Sequence, residues 1–186
     1  VSADGRYLWQ YLLEDDGSGT VKATKVREFG LYSGKKEIEA IAVDDELGYV
    51  YYSDEQIGVR KYLADPDQAG ANNELAFFAR TGFAGDLEGI SIYTLPGGRG
   101  YILVSDQQAN KFHIFKREGE PGQPHQHTLV KVIKTSTSES DGSEVTSAAL
   151  NQTYPHGLFV AMSDNKTFHY YDWSDIAGTE LEMTGR

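Results

Sequence analysis

The sequence predicts an all-β protein, a β-propeller of about three to four four-stranded blades. Two observations carry this. A unit of short strands recurs three times with a period of about 50 residues, the length of one blade. Short strands, some alternating and some apolar throughout, are spaced regularly between glycine-marked turns, and no long segment shows the 3.6-residue period of a helix.

In chain order, residues 1–5 form a polar entry. Residues 6–13 read as a strand, residues 14–20 (EDDGSGT) form a hairpin loop, and residues 23–29 alternate as the return strand. This pair is expected to be the outer half of a blade whose inner strands precede residue 1. The first full unit has strands at residues 38–43, 48–53 and 58–62, with residues 74–79 outermost and a turn-rich loop at residues 64–70. The second unit is built on Asp86-Leu87-Glu88-Gly89-Ile90-Ser91-Ile92-Tyr93. A Pro-Gly-Gly turn at residues 96–98 follows, then strands at residues 100–104, 111–116 and 128–134. The third unit has strands at residues 143–148, 157–164 and 167–173, and residues 173–177 suit one helical turn. The blades are thus expected near residues 1–30, 36–80, 85–134 and 141–174. Three units and a partial one leave a ring open, and an open ring exposes blade faces and strand edges. The rest is expected from missing N-terminal blades or from a second copy.

Composition narrows function. A net charge of −11 argues against nucleic acid, whose phosphates need a basic footprint. No run of 18 apolar residues exists to form a membrane-spanning helix, and no membrane partner is expected. There is no cysteine for a disulfide scaffold. Neither a Gly-x-Ser-x-Gly elbow nor a His-Glu-x-x-His motif occurs, and the five histidines are scattered. His125 and His127 sit in a Pro/Gly loop and are expected to be solvated. The aromatic runs at residues 49–52 and 168–171 are expected to be core.

The acids are more informative by position than by number. Glu39, Glu88 and Glu144 lead the three units. First strands of a propeller line its central channel, so these carboxylates would converge. Two carboxylates at 4 Å repel by roughly 4 kcal/mol at an effective dielectric near 20. A cation removes that penalty, and calcium suits an oxygen-only ligand set. Glu55, Asp86, Gln107 and Asp141 are further oxygen donors at strand ends or in loops of the same rim. The repeated pairs Ser53-Asp54, Ser105-Asp106 and Ser163-Asp164 read better as turn caps than as ligands.

These motifs resemble the β-propeller phytases, calcium-dependent secreted bacterial enzymes that remove phosphates from inositol hexakisphosphate (phytate). The matching runs are residues 38–40, 44–48 and 53–55, the Asp86-Leu87-Glu88-Gly89 strand, residues 100–107, Ser140-Asp141-Gly142 and residues 154–161. The resemblance spans nearly the whole chain and about the C-terminal half of that six-bladed fold. It implies a secreted or periplasmic enzyme with calcium as cofactor and an inositol phosphate as substrate. Glu39, Glu55, Asp86, Glu88, Gln107 and Asp141 are the implied calcium ligands, Glu55 and Glu88 the implied catalytic pair, and Asp164 a weaker match. Ala3-Asp4-Gly5 stands where that family has a Gly-Lys-Glu turn, and the basic phosphate contacts of the N-terminal blades lie outside this chain. The competing expectation is a non-catalytic calcium-binding propeller module used for stability or ligand binding.

Overall fold

The computed structural model describes residues 7–185. Residues 1–6, with the polar entry and the Ala3-Asp4-Gly5 departure, lie outside the described residues. The all-β class is as the sequence predicts. Thirteen strands form four antiparallel sheets, with one short 3₁₀ helix and one short α-helix among the described residues.

The first sheet is the hairpin of β1 (Leu8–Asp15) and β2 (Val21–Phe29). The second has the order β3 (Ile38–Asp44), β4 (Tyr49–Asp54), β5 (Gly58–Leu63) and β6 (Ala76–Phe78). The third repeats it with β7 (Leu87–Leu95), β8 (Arg99–Asp106), β9 (Lys111–Lys116) and β10 (Leu129–Lys134). The fourth contains β11 (Ser143–Thr146), β12 (Leu158–Ser163) and β13 (Thr167–Asp172). Helix α1 (Trp173–Ala177) follows, capped by the Asp172 side chain accepting from Ser174 N–H. It occupies the residues whose pattern suits a helical turn.

Each pair of successive sheets encloses its own apolar layer. Leu8 and Phe29 pack on Ile38, Val50, Tyr52 and Tyr62 between the first two sheets. Tyr51, Val59 and Phe78 meet Leu87, Ile102, Val104 and Phe115 between the second and third. Tyr93, Leu103 and Phe112 meet Phe159, Ala161 and Trp173 between the third and fourth, with Trp173 stacked on Tyr93 at 3.8 Å. Strands β4 and β8 are therefore covered on both faces, which explains their near-continuous apolar character. Strand β7 packs against β3 on one side and β11 on the other, so the three first strands lie side by side.

Polar groups tie the layers together. Arg117, at the end of β9, reaches back to the second sheet. Its Nε and Nη2 donate to Asp44 at 2.7 and 2.5 Å, and its Nη1 donates to Arg99 C=O at 3.0 Å. The Arg117–Asp44 pair is buried, and a fully bidentate pair is the geometry that offsets the desolvation of both ions. The Ser-Asp pairs pin the approach to each first strand. Asp54 accepts from Ser33 N–H and Oγ–H and from Arg60, and Asp106 accepts from Ala84 N–H. Asp164 instead uses its backbone N–H, on Ser138 C=O.

Two expectations fail here. Phe168 and Tyr170 are 65% and 61% exposed, because β13 is the edge strand of its sheet and their alternate face has no neighbour among the described residues. His127 is buried, not solvated: its Nδ1 lies 2.8 Å from Lys116 C=O and its Nε2 3.2 Å from Lys61 Nζ.

Candidate functional site

Strands β3 and β7 each carry a β-bulge at the same place. Pairing slips between Ile38 and Ile41 in one and between Leu87 and Ile90 in the other. The residues left over are Glu39-Ala40 and Glu88-Gly89. A bulge adds one residue to one strand and re-aims its side chains, so Glu39 and Glu88 escape strict alternation. Gly89 also permits a close approach: its N–H donates to Asp141 C=O at 2.9 Å, and a Cβ there would lie 2.9 Å from Ser143 N. Strand β11 is thereby drawn against β7. Glu39, Glu88, Asp141 and Glu144 line one open depression of about 260 Å³.

Glu88 also belongs to a buried trio with Glu55 and Asp86, in which one oxygen from each lies within 4.8 Å of the others. Burial pushes the Glu88 carboxyl up to about 9, reinforced by the adjoining carboxyls of Glu39 and Glu55. Glu55 is also raised, by burial and by Asp86 beside it. Asp86 goes the other way. Burial works to raise it, but hydrogen bonds from Gln56, Lys36 and Gln108 outweigh that and hold it below the ordinary carboxylate range. Gln56 Nε2 donates to Asp86 Oδ1 at 2.6 Å, and Gln108 Nε2 donates to Oδ2 at 3.0 Å. Lys36 Nζ bridges Asp86 Oδ2 at 3.1 Å and Glu55 Oε1 at 3.3 Å. Both contacts raise the Lys36 pKa, that to Asp86 foremost.

The chain of contacts continues outward. Gln108 Nε2 also donates to Gln107 Oε1 at 2.6 Å, and Gln107 Nε2 donates to Asp141 Oδ1. The six residues Glu39, Glu55, Asp86, Glu88, Gln107 and Asp141 thus fall in one network drawn from three sheets. Glu144 lines the depression, and Asp164 lies exposed in the β12–β13 turn. Two residues of the network, Gln56 and Gln108, escape the motif analysis, as does the bridging of Glu55 and Asp86 by Lys36. Gln56 and Gln108 sit one residue beyond the acids and amides that the repeats mark, and only their loops' folded geometry turns them inward. Among the basic residues near these acids in sequence, Lys35 is exposed on the approach to β3 and Lys36 is in the network. Arg60 pairs with Asp54 and Glu74, while Lys61 is buried over the Tyr49 ring at 3.7 Å.

Like-charged carboxylates packed this closely favour either shared protons or a cation. Their donor atoms are all oxygens, with no sulfur or imidazole among the three, which suits a hard divalent ion such as calcium. The residues therefore fit a metal site.

Comparison with known proteins adds to this geometry. The phytase family model matches residues 2–172. The chain is 31% identical to the 3-phytase of Bacillus subtilis (strain 168) over 184 residues, 94% of this chain and 47% of that protein. It therefore spans about half the length of this curated relative. A crystal structure of a DUF4623 family protein from Bacteroides eggerthii overlaps 81% of this chain and 32% of its own, at 13% identity and a TM-score of 0.44.

Proposed function

The chain belongs to the phytase family, and on that premise we propose that it forms about half of a calcium-dependent phosphomonoester hydrolase acting on phytate. The observation that carries the reading is the buried Glu55–Asp86–Glu88 trio with one oxygen of each within 4.8 Å. Its like charges are held together in a protein whose net charge is already −11. Such a protein could not approach a polyanionic ester without cations between them. The 3-phytase name of the Bacillus subtilis relative agrees with that substrate class. We further propose that the four sheets are blades of one propeller, near residues 1–30, 36–80, 85–134 and 141–174, completed by N-terminal blades or a second copy. A secreted or periplasmic location follows from the family resemblance.

In this reading Glu39, Glu55, Asp86, Glu88, Gln107 and Asp141 hold the metal. When bound, calcium supplies charge neutralisation of the substrate phosphates and polarisation of the phosphoryl group. Gln56 and Gln108 fix the orientation of Asp86 through opposite oxygens. Glu55 and Glu88 carry the catalytic assignment because they adjoin each other at the buried end of the network. Glu55, Asp86 and Glu88 are themselves buried, so solvent has little access to that end of the network.

The test is inorganic phosphate released from phytate at millimolar calcium and with excess chelator. It compares this chain, the longer protein proposed to contain it, and the Glu88→Ala variant of the latter. Release by the longer protein is expected only with calcium. Loss of an electrostatic group at a reacting centre costs roughly 10²–10³ in rate, so Glu88→Ala should fall at least that far. Residues 1–186 alone should show little release. Phosphate release by the longer protein in chelator would sink the mechanism.

A further inference from the structure

Lys36 stands in an unusual relation to the acid trio. Among the described residues it is the base in ion-pair contact with Glu55 and Asp86. The carboxylates it bridges are deeply placed, at 4% and 11% side-chain exposure, while the lysine is 43% exposed. It enters from the solvent side, on the segment that leads into β3. Its backbone is anchored there: the Tyr32 hydroxyl donates to Lys36 C=O, and Glu37 N–H donates to Glu55 Oε2 at 3.3 Å. The stem of the side chain has no such anchor. A fixed backbone with a flexible four-carbon stem lets the ammonium exchange partners without refolding the segment.

The oxygens that Lys36 uses are oxygens of the trio that would surround a divalent ion. Asp86 Oδ2 already receives both Lys36 Nζ and Gln108 Nε2. An ion and the ammonium therefore compete for the same acceptors, and repel each other at contact distance. We propose that Lys36 is a tethered counter-ion of the acid trio, displaced outward when a divalent cation binds, and that the displaced ammonium then contacts a phosphate oxygen at the cleft mouth. The proposal rests on the calcium reading above and adds a residue-level device to it: one charge weakens metal binding and afterwards serves anion binding. Lys35 cannot replace it, since its side chain makes no contact with the trio and lies exposed.

Titration calorimetry tests both halves, with calcium chloride alone and then with inorganic phosphate at saturating calcium. The proteins are wild type, Lys36→Met and Lys36→Arg. Lys36→Met should bind calcium about tenfold tighter than wild type and bind phosphate at least several-fold more weakly. Lys36→Arg keeps the charge and should stay near wild type in both titrations. Equal or weaker calcium affinity in Lys36→Met would overturn the counter-ion role while leaving the calcium reading intact. Unchanged phosphate affinity in that variant would overturn the phosphate contact. Calcium binding by none of the three proteins would instead overturn the calcium reading, and this proposal with it.

Discussion

The histidine at 127 shows how a buried titratable group reports on packing. Phe78 and Tyr51 cover its ring, Lys116 C=O faces Nδ1, and the Lys61 ammonium faces Nε2, with His125 and Asp44 farther off. Burial is the main cause that pushes it down, to about 4, from an ordinary 6.5. An imidazole with a depressed folded pKa leaves the unfolded chain binding the extra proton between those two values. Its contribution to stability is therefore complete above pH 6.5 and lost as pH falls toward 4. Each pH step across that window costs about 1.4 kcal/mol, about 3 kcal/mol in all. Denaturant unfolding at a series of pH values should show this limb in wild type, and His127→Gln should flatten it. An equally steep limb in the variant would place the titration elsewhere. Residue identities announced Glu88 and Asp86 because acids in a strand of this pattern need a reason. They gave no notice of His127, since its burial depends on Lys61 from another sheet, 66 positions away.

At the scale of elements, alternation and glycine-marked turns were enough to place β7, β8 and β9, and the third strand at residues 111–116 needed no adjustment. The bulges were hidden. A period of two slips by one residue without changing composition, and the extra residue shows only as Ala40 in one strand and Gly89 in the other. Gly89 is the more demanding of the two, because β11 backbone lies where its side chain would be. Gly89→Ala should push Asp141 and Ser143 outward and cost about 1–3 kcal/mol, the range for overpacking a closed contact. Thermal unfolding checks the stability. Calcium titration of the same variant should show weaker binding, since Asp141 rides on the displaced strand. An Ala variant with wild-type stability and affinity would mean that the two first strands tolerate separation. Gly100 contrasts with it: a Cβ there would meet Tyr93 C=O of its own hairpin at 2.1 Å. Its replacement should destabilise the sheet without a selective effect on the cleft.

For the molecule as a whole, metal and fold are expected to be linked. A ligand bound only by the folded state adds about 2.7 kcal/mol at one hundred times its dissociation constant. Excess chelator should thus lower the melting midpoint by several degrees. Glu88→Gln should abolish that difference while leaving the chelated protein as stable as wild type or more so, because the amide needs no proton on folding, whereas the Glu88 carboxyl, pushed up to about 9, must take one up. An unchanged midpoint in wild-type protein shown to start metal-loaded would contradict the linkage. The repeat predicted where sheets begin; it held no information on how they are fastened, because Asp44 and Arg117 occupy different places in successive units. That fastening has a mechanical meaning. The Asp44–Arg117 clasp closes a loop of 73 positions, a contour of about 250 Å at full extension. Under tension applied at the two ends of the chain, the force would run through this buried side-chain junction, and the strands between would stay slack behind it. A single-molecule extension trace should therefore release that length after one rupture event, not in small increments, and Asp44→Asn should lower the rupture force.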